Sequence, residues 1–320
     1  MKALITGYAG LIGAPLTRQC IDEGWKVYGL DLDGDRMLQY YDLIHHPQLV
    51  QLRGSVLDLP TLLHSVRDAD VIIHLAAQSG VGKSRDQGHK AWELNFMGTL
   101  NALESARIKD KPIVLASSNH VYGQADVYPT PETAIPNRFD PYSASKIAGD
   151  IAARSYAETY GVRVVSIRNT NCFGPFDPHM DHIVPGTIMS VLNGKAPIIR
   201  SSGKTSKNYL YVDDVASAYV LAAEALVEGK ITSPAIYNVT DTDAPISVLD
   251  LVTTILNLMG SSLQPSIVGV DQPDDVHEEL DSSAFRALTG WTSRSLEEGL
   301  LDVITMFTQK FQSKAGVSLP

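Results

Sequence analysis

Polar side chains that could do chemistry are concentrated in the segment SSNHVYGQ at residues 117–124. Ser118, Asn119 and His120 follow the apolar run PIVLA, which predicts a β-strand, so their side chains would lie where that strand ends. A histidine near its ordinary pKa can donate or accept a proton at neutral pH, whereas an asparagine amide transfers no proton usefully. His120 is therefore either an acid–base group or a hydrogen-bonded spacer, and the sequence leaves both interpretations open.

A second reactive pair lies in YSASK, where Tyr142 is followed one helical turn later by Lys146. A helix over residues 141–160 would place both side chains on one face. The ammonium group of Lys146 favours the phenolate form of Tyr142 and so lowers the pKa of the phenol. Tyr142 could then act as general base on a substrate hydroxyl while a hydride leaves the same carbon for a nicotinamide.

A glycine-rich turn follows the first apolar run, in the segment ALITGYAGLIG. Gly7, Gly10 and Gly13 permit a tight turn and close backbone approach, and the helix that follows would present its N-terminus to a pyrophosphate. Asp31 ends the next predicted strand, where a carboxylate accepts hydrogen bonds from a ribose and repels a 2′-phosphate. The predicted cofactor is NAD, with NADP kept as an alternative by the nearby Arg36.

The elements that must position these residues follow an alternating pattern. Continuous Val/Ile/Leu runs separated by helical stretches are typical of a parallel sheet covered on both faces. The predicted fold class is therefore α/β, a doubly wound parallel sheet (Rossmann) with a smaller α/β C-terminal substrate domain. The predicted strands cover residues 2–6, 26–31, 49–54, 70–76, 112–118 and 163–169, and the clearest helices cover residues 91–107 and 141–160.

After about residue 170 the pattern loosens. Residues 172–186 are rich in Pro, Gly, Asp and His and indicate an irregular loop, whereas residues 213–226 and 247–260 indicate helices and residues 235–239 a strand. The predicted organisation is a NAD-binding domain over residues 1–172, with 209–240 packing on it. Residues 173–208 and 241–311 form the predicted substrate-binding portion, and residues 312–320 a flexible tail.

Charge and composition exclude several classes of partner. A net charge of −10 argues against nucleic acid or an anionic membrane. The two cysteines, Cys20 and Cys172, are too few for a disulfide framework, and no apolar run approaches a membrane-spanning length. These features predict a soluble cytoplasmic protein. His179, Asp181 and His182 invite comparison with a metal site, but we favour a substrate-facing or solvated loop and predict no metal.

Ordered segments along nearly the whole chain resemble one protein family. They are TGYAGLIG, HLAAQSGV, NFMGTLNALESA, SSNHVYG, PYSASK, RNTNCFGP, KNYLYVDDVASAY and LDSSAFRALTGW. On these segments the chain resembles the extended short-chain dehydrogenases/reductases, in the NAD-dependent nucleotide-sugar epimerase/dehydratase family. The resemblance implies a nucleotide-diphosphate sugar substrate and a homodimer that pairs helices 91–107 and 141–160.

The resemblance also implies roles for individual residues. Ser118, Tyr142 and Lys146 would be catalytic, with His120 and Asn119 beside them. The implied NAD-binding residues are Gly7, Gly10, Leu11, Ile12, Gly13, Asp31, Leu57, Asp58, Leu75, Ala76, Ala77, Asn95, Ser117, Tyr142 and Lys146. The implied substrate-binding residues are Gln78, Ser79, Asn171, Lys207 and Tyr209. Asn171 and Lys207 would contact the diphosphate, and Lys207 stands where many relatives carry an arginine, which weakens that contact.

The family's shared first step is oxidation at C4 of the sugar, and the residues after Ser118 govern the later steps. Many 4,6-dehydratases carry an acidic pair there, whereas this chain has Asn119 and His120. The loss of that acid slightly favours a 4-epimerase. The first alternative is a 4,6-dehydratase that uses His120 and is similar to the CDP-glucose dehydratases. The second is a sugar or uronate dehydrogenase, since uronate dehydrogenases carry a similar SSNH segment. A non-catalytic NAD-binding regulator is a more distant alternative.

Overall fold

A seven-stranded parallel sheet organises the computed structural model, which describes residues 1–33, 35–241, 243–271 and 277–314. The strands in chain order are β1 (Lys2–Thr6), β2 (Lys26–Asp31), β3 (Leu49–Arg53), β4 (Val71–His74), β5 (Ile113–Ala116), β6 (Val164–Asn169), β7 (Asn171–Phe173), β8 (Ile198–Ile199), β9 (Ser206–Lys207), β10 (Tyr209–Tyr211), β11 (Ala235–Val239), β12 (Ile246–Ser247) and β13 (Ser266–Ile267). The six predicted strands are confirmed as β1 to β6.

The helices connect these strands. In chain order they are α1 (Gly13–Asp22), α2 (Asp35–Tyr40), α3 (Leu59–Val66), α4 (Val81–Asp86), α5 (Gly88–Ala91), a π-helix (Trp92–Met97), α6 (Gly98–Lys109), a 3₁₀ turn (Asn119–Tyr122), α7 (Pro141–Tyr160), α8 (Ile183–Leu192), α9 (Val212–Val227), α10 (Val248–Leu258), α11 (Ser283–Thr289) and α12 (Leu296–Lys314). The prediction of one α-helix over residues 91–107 was wrong in detail, because a π-helical turn separates α5 from α6.

The large sheet has the order β11-β6-β5-β4-β1-β2-β3, with every neighbouring pair parallel. The direction of winding reverses between β1 and β4. In doubly wound folds, ligands bind at this switch point, outside the carboxyl ends of the strands. The switch point here joins the glycine turn after β1 to residues 75–78 after β4.

Both faces of this sheet are covered. Leu4, Ile72 and Leu115 face a buried apolar cluster to which α3, α6 and α7 contribute. Ala3 and Ile5 point to the opposite face, because side chains alternate along a strand, and they are also fully buried. The doubly wound α/β fold is therefore confirmed.

The chain divides into two units. Unit 1 comprises Met1–Thr170, Val212–Val239 and Leu280–Thr292, and unit 2 comprises the described residues of Asn171–Tyr211, Thr240–Glu279 and Ser293–Pro320. The segment Leu280–Thr292 differs from the predicted boundaries, which place it in the substrate-binding portion. The reason is its packing, since Phe285 contacts the ring of Tyr237 and the Trp291 indole donates to the Asp214 carbonyl oxygen at 3.1 Å.

Unit 2 is built from short strand pairs and three helices. β7 pairs with β10 and β8 with β13 in parallel, and β9 pairs with β12 in antiparallel orientation. Helices α8, α10 and α12 share a buried cluster with Phe173 and Tyr211. The predicted loop over residues 172–186 is thus too long at both ends, because Cys172 and Phe173 pair with β10 and α8 begins at Ile183.

The chain's last described helix, α12, continues to Lys314, and residues 315–320 of the predicted tail lie outside the described residues. Among the helices that the structure describes, none combines the length and the apolar character needed to cross a bilayer.

Candidate active site

The glycine turn after β1 is closely packed against its surroundings. Gly7 has a φ of +74°, and a Cβ atom there would lie 2.8 Å from the backbone nitrogen of Ala76. A Cβ atom on Gly13 would lie 2.0 Å from the carbonyl oxygen of Gly7. Side chains are therefore excluded at both positions, and the predicted cofactor residues Gly7, Gly13 and Ala76 meet at the switch point.

Asp31 lies beside this turn, at the end of β2. Its carboxylate accepts hydrogen bonds from the backbone nitrogens of Ala9 at 3.2 Å and Leu32 at 2.8 Å. Burial raises the pKa of Asp31, and the two N–H donors oppose that effect. A partly buried carboxylate fixed against the glycine turn is suited to a ribose hydroxyl. The side chain of Arg36, the predicted NADP alternative, lies outside the described residues.

The remaining residues predicted for the adenosine end are on neighbouring loops. Leu11 and Ile12 are half-buried just before α1. Asp58 precedes α3, where its carboxylate accepts a hydrogen bond from the Thr61 hydroxyl. The Leu57 carbonyl oxygen accepts a hydrogen bond from the Asn101 side chain at 3.1 Å.

A buried chain of polar groups links the end of β1 to the π-helix. Thr6 Oγ1 lies 2.8 Å from Nδ1 of His74, and Thr99 Oγ1 lies 3.3 Å from its Nε2. Burial, reinforced by the positive charge of Lys146, lowers the pKa of His74 to about 3, so the imidazole stays neutral. The Thr99 hydroxyl in turn donates to the Asn95 carbonyl oxygen at 2.6 Å.

Asn95 continues this chain to the start of α7. Its side-chain oxygen accepts from the Gln78 backbone nitrogen at 2.7 Å, and its amide nitrogen donates to Ser145 Oγ at 3.1 Å. Ser145 Oγ donates to the Tyr142 carbonyl oxygen at 2.7 Å. Three predicted site residues, Gln78, Asn95 and Tyr142, are thus held in one network.

The side chain of Gln78 stands out within this network. It is 6% exposed, yet both of its side-chain polar atoms lack a hydrogen-bond partner in the part of the chain that the structure describes. Buried amide groups are normally hydrogen-bonded, so this one is suited to a polar ligand at the switch point. Ser79, the next predicted substrate residue, is exposed, and Ala77 is half-buried.

Helix α7 carries the Tyr/Lys pair and is firmly capped. The Asp140 carboxylate accepts from the Ser143 backbone nitrogen at 3.1 Å, and Pro141 occupies the first turn. Lys146 Nζ donates to the Ala116 carbonyl oxygen at 2.8 Å, which fixes the ammonium group at the end of β5. Burial lowers the pKa of Lys146 to about 8, and the carboxylate of Asp150 opposes that shift.

The segment after β5 meets α7 at Tyr142. Ser118 Oγ accepts from the His120 backbone nitrogen at 3.2 Å and makes a longer contact of 3.4 Å with Asn119 Oδ1. Ser118 and Asn119 are buried, and His120 is half-buried. The rings of His120 and Tyr142 lie edge to face with their centroids 6.0 Å apart. The structure therefore brings together Ser118, His120 and Tyr142.

Beneath this group lies a buried ion pair that the sequence reasoning missed. Asp150 Oδ2 accepts from Arg168 Nε at 3.0 Å, from Arg168 Nη2 at 2.9 Å and from Ser117 Oγ at 3.0 Å. Arg168 also donates to the Tyr122 hydroxyl at 2.8 Å. An arginine inside the apolar run of β6 was the available signal, because charged residues are rarely buried unless paired.

The predicted substrate residues of unit 2 converge on another residue that was missed, Glu278. Asn171 Nδ2 donates to Glu278 Oε2 at 2.7 Å, and Lys207 Nζ lies 3.2 Å from Glu278 Oε1. Tyr209 is buried, and burial, together with the Glu278 charge, raises the pKa of its phenol. Nothing in the local pattern around residue 278 distinguishes this carboxylate from its half-buried neighbour Glu279.

The loop that invited a metal interpretation contains one ion pair. His182 Nδ1 lies 2.7 Å from the buried Asp177 Oδ2, and the His179 backbone nitrogen donates to the same carboxylate at 3.0 Å. Burial lowers the pKa of His182, but the Asp177 carboxylate outweighs that effect, so the net shift is upward. Over the described residues, no three His, Cys, Asp or Glu side chains converge as metal ligands.

Comparisons with known proteins point to one family. The model of the NAD dependent epimerase/dehydratase family matches residues 3–240. The chain is 30% identical to a UDP-glucose 4-epimerase of Mycolicibacterium smegmatis, over 98% of this chain and 100% of that protein. A UDP-glucose 4-epimerase from Thermotoga maritima, solved with UDP-glucose, superposes with a TM-score of 0.87 at 26% identity, covering 97% of this chain and 99% of that one. A double mutant of the dTDP-glucose 4,6-dehydratase DesIV from Streptomyces venezuelae, solved with NAD bound, superposes with a TM-score of 0.88 at 26% identity over 98% of both chains.

Proposed function

We propose that this chain, which belongs to the NAD-dependent epimerase/dehydratase family, is a 4-epimerase of a nucleotide-diphosphate hexose. In this proposal the enzyme oxidises the sugar at C4, holds the 4-keto sugar, and allows the hydride to return to the opposite face. The observation that carries the choice of outcome is Asn119, a buried amide that follows Ser118 directly and transfers no proton.

The residues at the switch point fit NAD, the cofactor of the family. The Gly7–Gly13 turn excludes side chains and leads directly into α1, whose N-terminus is suited to a pyrophosphate, and Asp31 is placed for a ribose. The buried Gln78 amide supplies further polar atoms nearby. When bound, NAD accepts a hydride from the sugar carbon and later gives it back.

Tyr142 acts as the base that takes the proton from the C4 hydroxyl. Lys146 is placed to favour the phenolate, because its ammonium lies one helical turn away on α7 and is anchored on the Ala116 carbonyl oxygen. Ser118 Oγ, held by the His120 backbone nitrogen, donates a hydrogen bond to the same sugar oxygen. The reverse proton transfer from Tyr142 completes reduction of the ketone.

Two facts support epimerisation over water elimination. Elimination needs an acid that protonates the departing C6 hydroxyl, and Asn119 is unable to do so. The relative that is 30% identical over nearly the whole of both chains is named a UDP-glucose 4-epimerase. A reaction that eliminates no water from the substrate is therefore the simplest outcome for this set of side chains.

A 4,6-dehydratase is the second candidate, because one observation favours it specifically. The centroids of the His120 and Tyr142 rings lie 6.0 Å apart, so the imidazole is next to the proposed base. In this second candidate the imidazole removes the C5 proton and gives it to the departing C6 oxygen. A dehydrogenase that releases NADH at every turnover is the third outcome to be distinguished.

A homodimer built on α6 and α7 is part of the same proposal. Ile151 is 65% and Tyr160 57% exposed on α7, and Trp92, Met97 and Ile108 are exposed on the π-helix and α6. Large apolar side chains that are exposed on these helices are suited to burial against a second copy of the same helices. Sedimentation equilibrium should give the mass of a dimer. The cytoplasmic location of the protein stays a prediction.

One assay tests the proposed reaction. The protein with NAD is incubated with UDP-, GDP-, CDP- and dTDP-hexoses and uronic acids, and the product masses and stereochemistry are recorded. An unchanged mass with inversion at C4 is the expected result. A product lighter by one water would favour the 4,6-dehydratase over the 4-epimerase. In that case, unaltered dehydration by His120→Ala would show that the histidine takes no part in the mechanism. Stoichiometric NADH release would favour a dehydrogenase, and normal turnover by Tyr142→Phe would refute the assigned base.

A further inference from the structure

A single carboxylate in unit 2 occupies the donors that the family resemblance assigns to the substrate diphosphate. Glu278 Oε2 accepts from Asn171 Nδ2 at 2.7 Å, and Glu278 Oε1 lies 3.2 Å from Lys207 Nζ. Glu278 itself is 6% exposed. The two residues expected to recognise an anion therefore already hold one that belongs to the chain.

The position of this carboxylate is fixed by the backbone. The Glu278 backbone nitrogen donates to the Ser206 carbonyl oxygen at 3.0 Å, and residues 207 and 278 form a parallel bridge. Asn171 lies opposite Tyr209 in the pairing of β7 with β10. Asn171, Lys207 and Glu278 each belong to a paired strand or to an isolated bridge. The backbone of unit 2 therefore holds these three side chains together.

The electrostatic consequence follows from the charges. Lys207 and Glu278 together carry no net charge, so this pair supplies none of the net positive charge that a diphosphate normally requires. A diphosphate brought to Asn171 and Lys207 would meet the Glu278 carboxylate as a like charge in a partly desolvated place, where repulsion is stronger than in water. It would also have to compete for donors that already have an acceptor.

We propose that Glu278 is a specificity-determining residue that keeps the affinity of the substrate site for a diphosphate low. The proposal builds on the proposed function, since it concerns the nucleotide-sugar substrate of the same enzyme. A substrate then gains its affinity from its sugar and base, and a free nucleoside diphosphate binds weakly.

The direct test measures binding, not turnover. Isothermal titration calorimetry with UDP and with dTDP compares the NAD-loaded wild type with Glu278→Gln, which removes the charge and keeps the shape. Glu279→Gln is the matched control, because it removes the same charge one residue along, where the carboxylate contacts His277 at 3.4 Å and not Lys207. We expect Glu278→Gln to bind the tighter of the two nucleotides about tenfold better, equivalent to about 1.4 kcal/mol, and Glu279→Gln to match the wild type.

An unchanged or weaker affinity in Glu278→Gln would overturn the proposal. The carboxylate would then either have no effect on diphosphate binding or be needed to position Asn171 and Lys207. An equal gain in Glu279→Gln would overturn it too, since the effect would be one of overall charge. Thermal unfolding and the NAD affinity of each variant establish that it is folded.

A second variant keeps the test decisive if Glu278→Gln is unstable. Lys207→Met combined with Glu278→Gln preserves the net charge and leaves no lone buried ion. The proposal predicts a UDP affinity within about threefold of the wild type, because the two charges cancel in the native site. A loss of more than about tenfold would show that Lys207 serves the diphosphate despite Glu278 and would contradict the proposal. A wild type that converts no nucleotide sugar would refute the proposed function through its products, independently of these affinities.

Discussion

Replacing Asp150 by Asn should be among the most destabilising single changes in unit 1. Asp150 and Arg168 are 7% and 3% exposed, and Asp150 Oδ2 accepts two hydrogen bonds from the guanidinium group and one from Ser117. Asp150→Asn leaves the buried Arg168 charge uncompensated, and removal of one partner from a buried pair typically lowers the free energy of unfolding by about 3–5 kcal/mol. The carboxylate also raises the pKa of Lys146, so its loss should lower that pKa below about 8.

Urea unfolding followed by circular dichroism would measure the first effect, and the pH dependence of kcat/KM the second. Glu158→Gln is the matched control on the same helix, because the Arg154–Glu158 pair has side chains that are 74% and 56% exposed and should contribute at most about 0.5 kcal/mol. A loss below about 1 kcal/mol in Asp150→Asn would refute the reasoning about the buried pair. An alkaline limb that stays in place would refute the link between Asp150 and Lys146.

Two further predictions concern the glycine turn after β1 and the proposed role of Lys146. Gly13→Ala places a Cβ atom 2.0 Å from the Gly7 carbonyl oxygen and should abolish NAD binding in calorimetry. In the control Gly149→Ala, the new Cβ atom meets only Thr99, at 3.6 Å, and NAD binding should be unchanged. Similar NAD affinities in the two variants would contradict the packing argument. Because burial lowers the pKa of Lys146 to about 8 from 10.5, kcat/KM should fall as pH rises through about 8 and the ammonium loses its proton. At pH values between the Lys146 pKa of about 8 in the folded protein and 10.5 in the unfolded chain, the unfolded state binds more protons at this lysine. The contribution of Lys146 to the free energy of unfolding should therefore increase with pH over this range. A rate profile that is flat from about pH 7 to about pH 10 would contradict the assigned role.

The local pattern of the chain was sufficient to predict the strands of the sheet and the glycine turn after β1. Each of the strands β1 to β6 contains a short apolar run, and Gly7 and Gly13 stand where a Cβ atom would collide with the backbone. Helix α7 was predictable to its ends, because Pro141 opens it and Gly161 follows it in a left-handed conformation with φ of +72°.

Contacts between residues distant in the sequence could not be predicted in the same way. Glu278 is 107 residues from Asn171 and 71 from Lys207, and nothing in the spacing of these residues announces their meeting. The packing of Phe285 on Tyr237, which places α11 in unit 1, depends equally on tertiary structure. The roles of Ser118, Tyr142 and Lys146 therefore stay predictions that the geometry supports, while Glu278 became visible only from the folded chain.

The fate of the hydrogen at C4 is the sharpest test of the proposed epimerisation. A nucleotide hexose that the protein converts is prepared with deuterium at C4, and the product is analysed by mass spectrometry and NMR. We predict a C4 epimer of unchanged mass that keeps the deuterium at C4, because the hydride returns to the carbon it left within one active site. Loss of the deuterium to solvent, or a product lighter by one water, would contradict the proposed reaction.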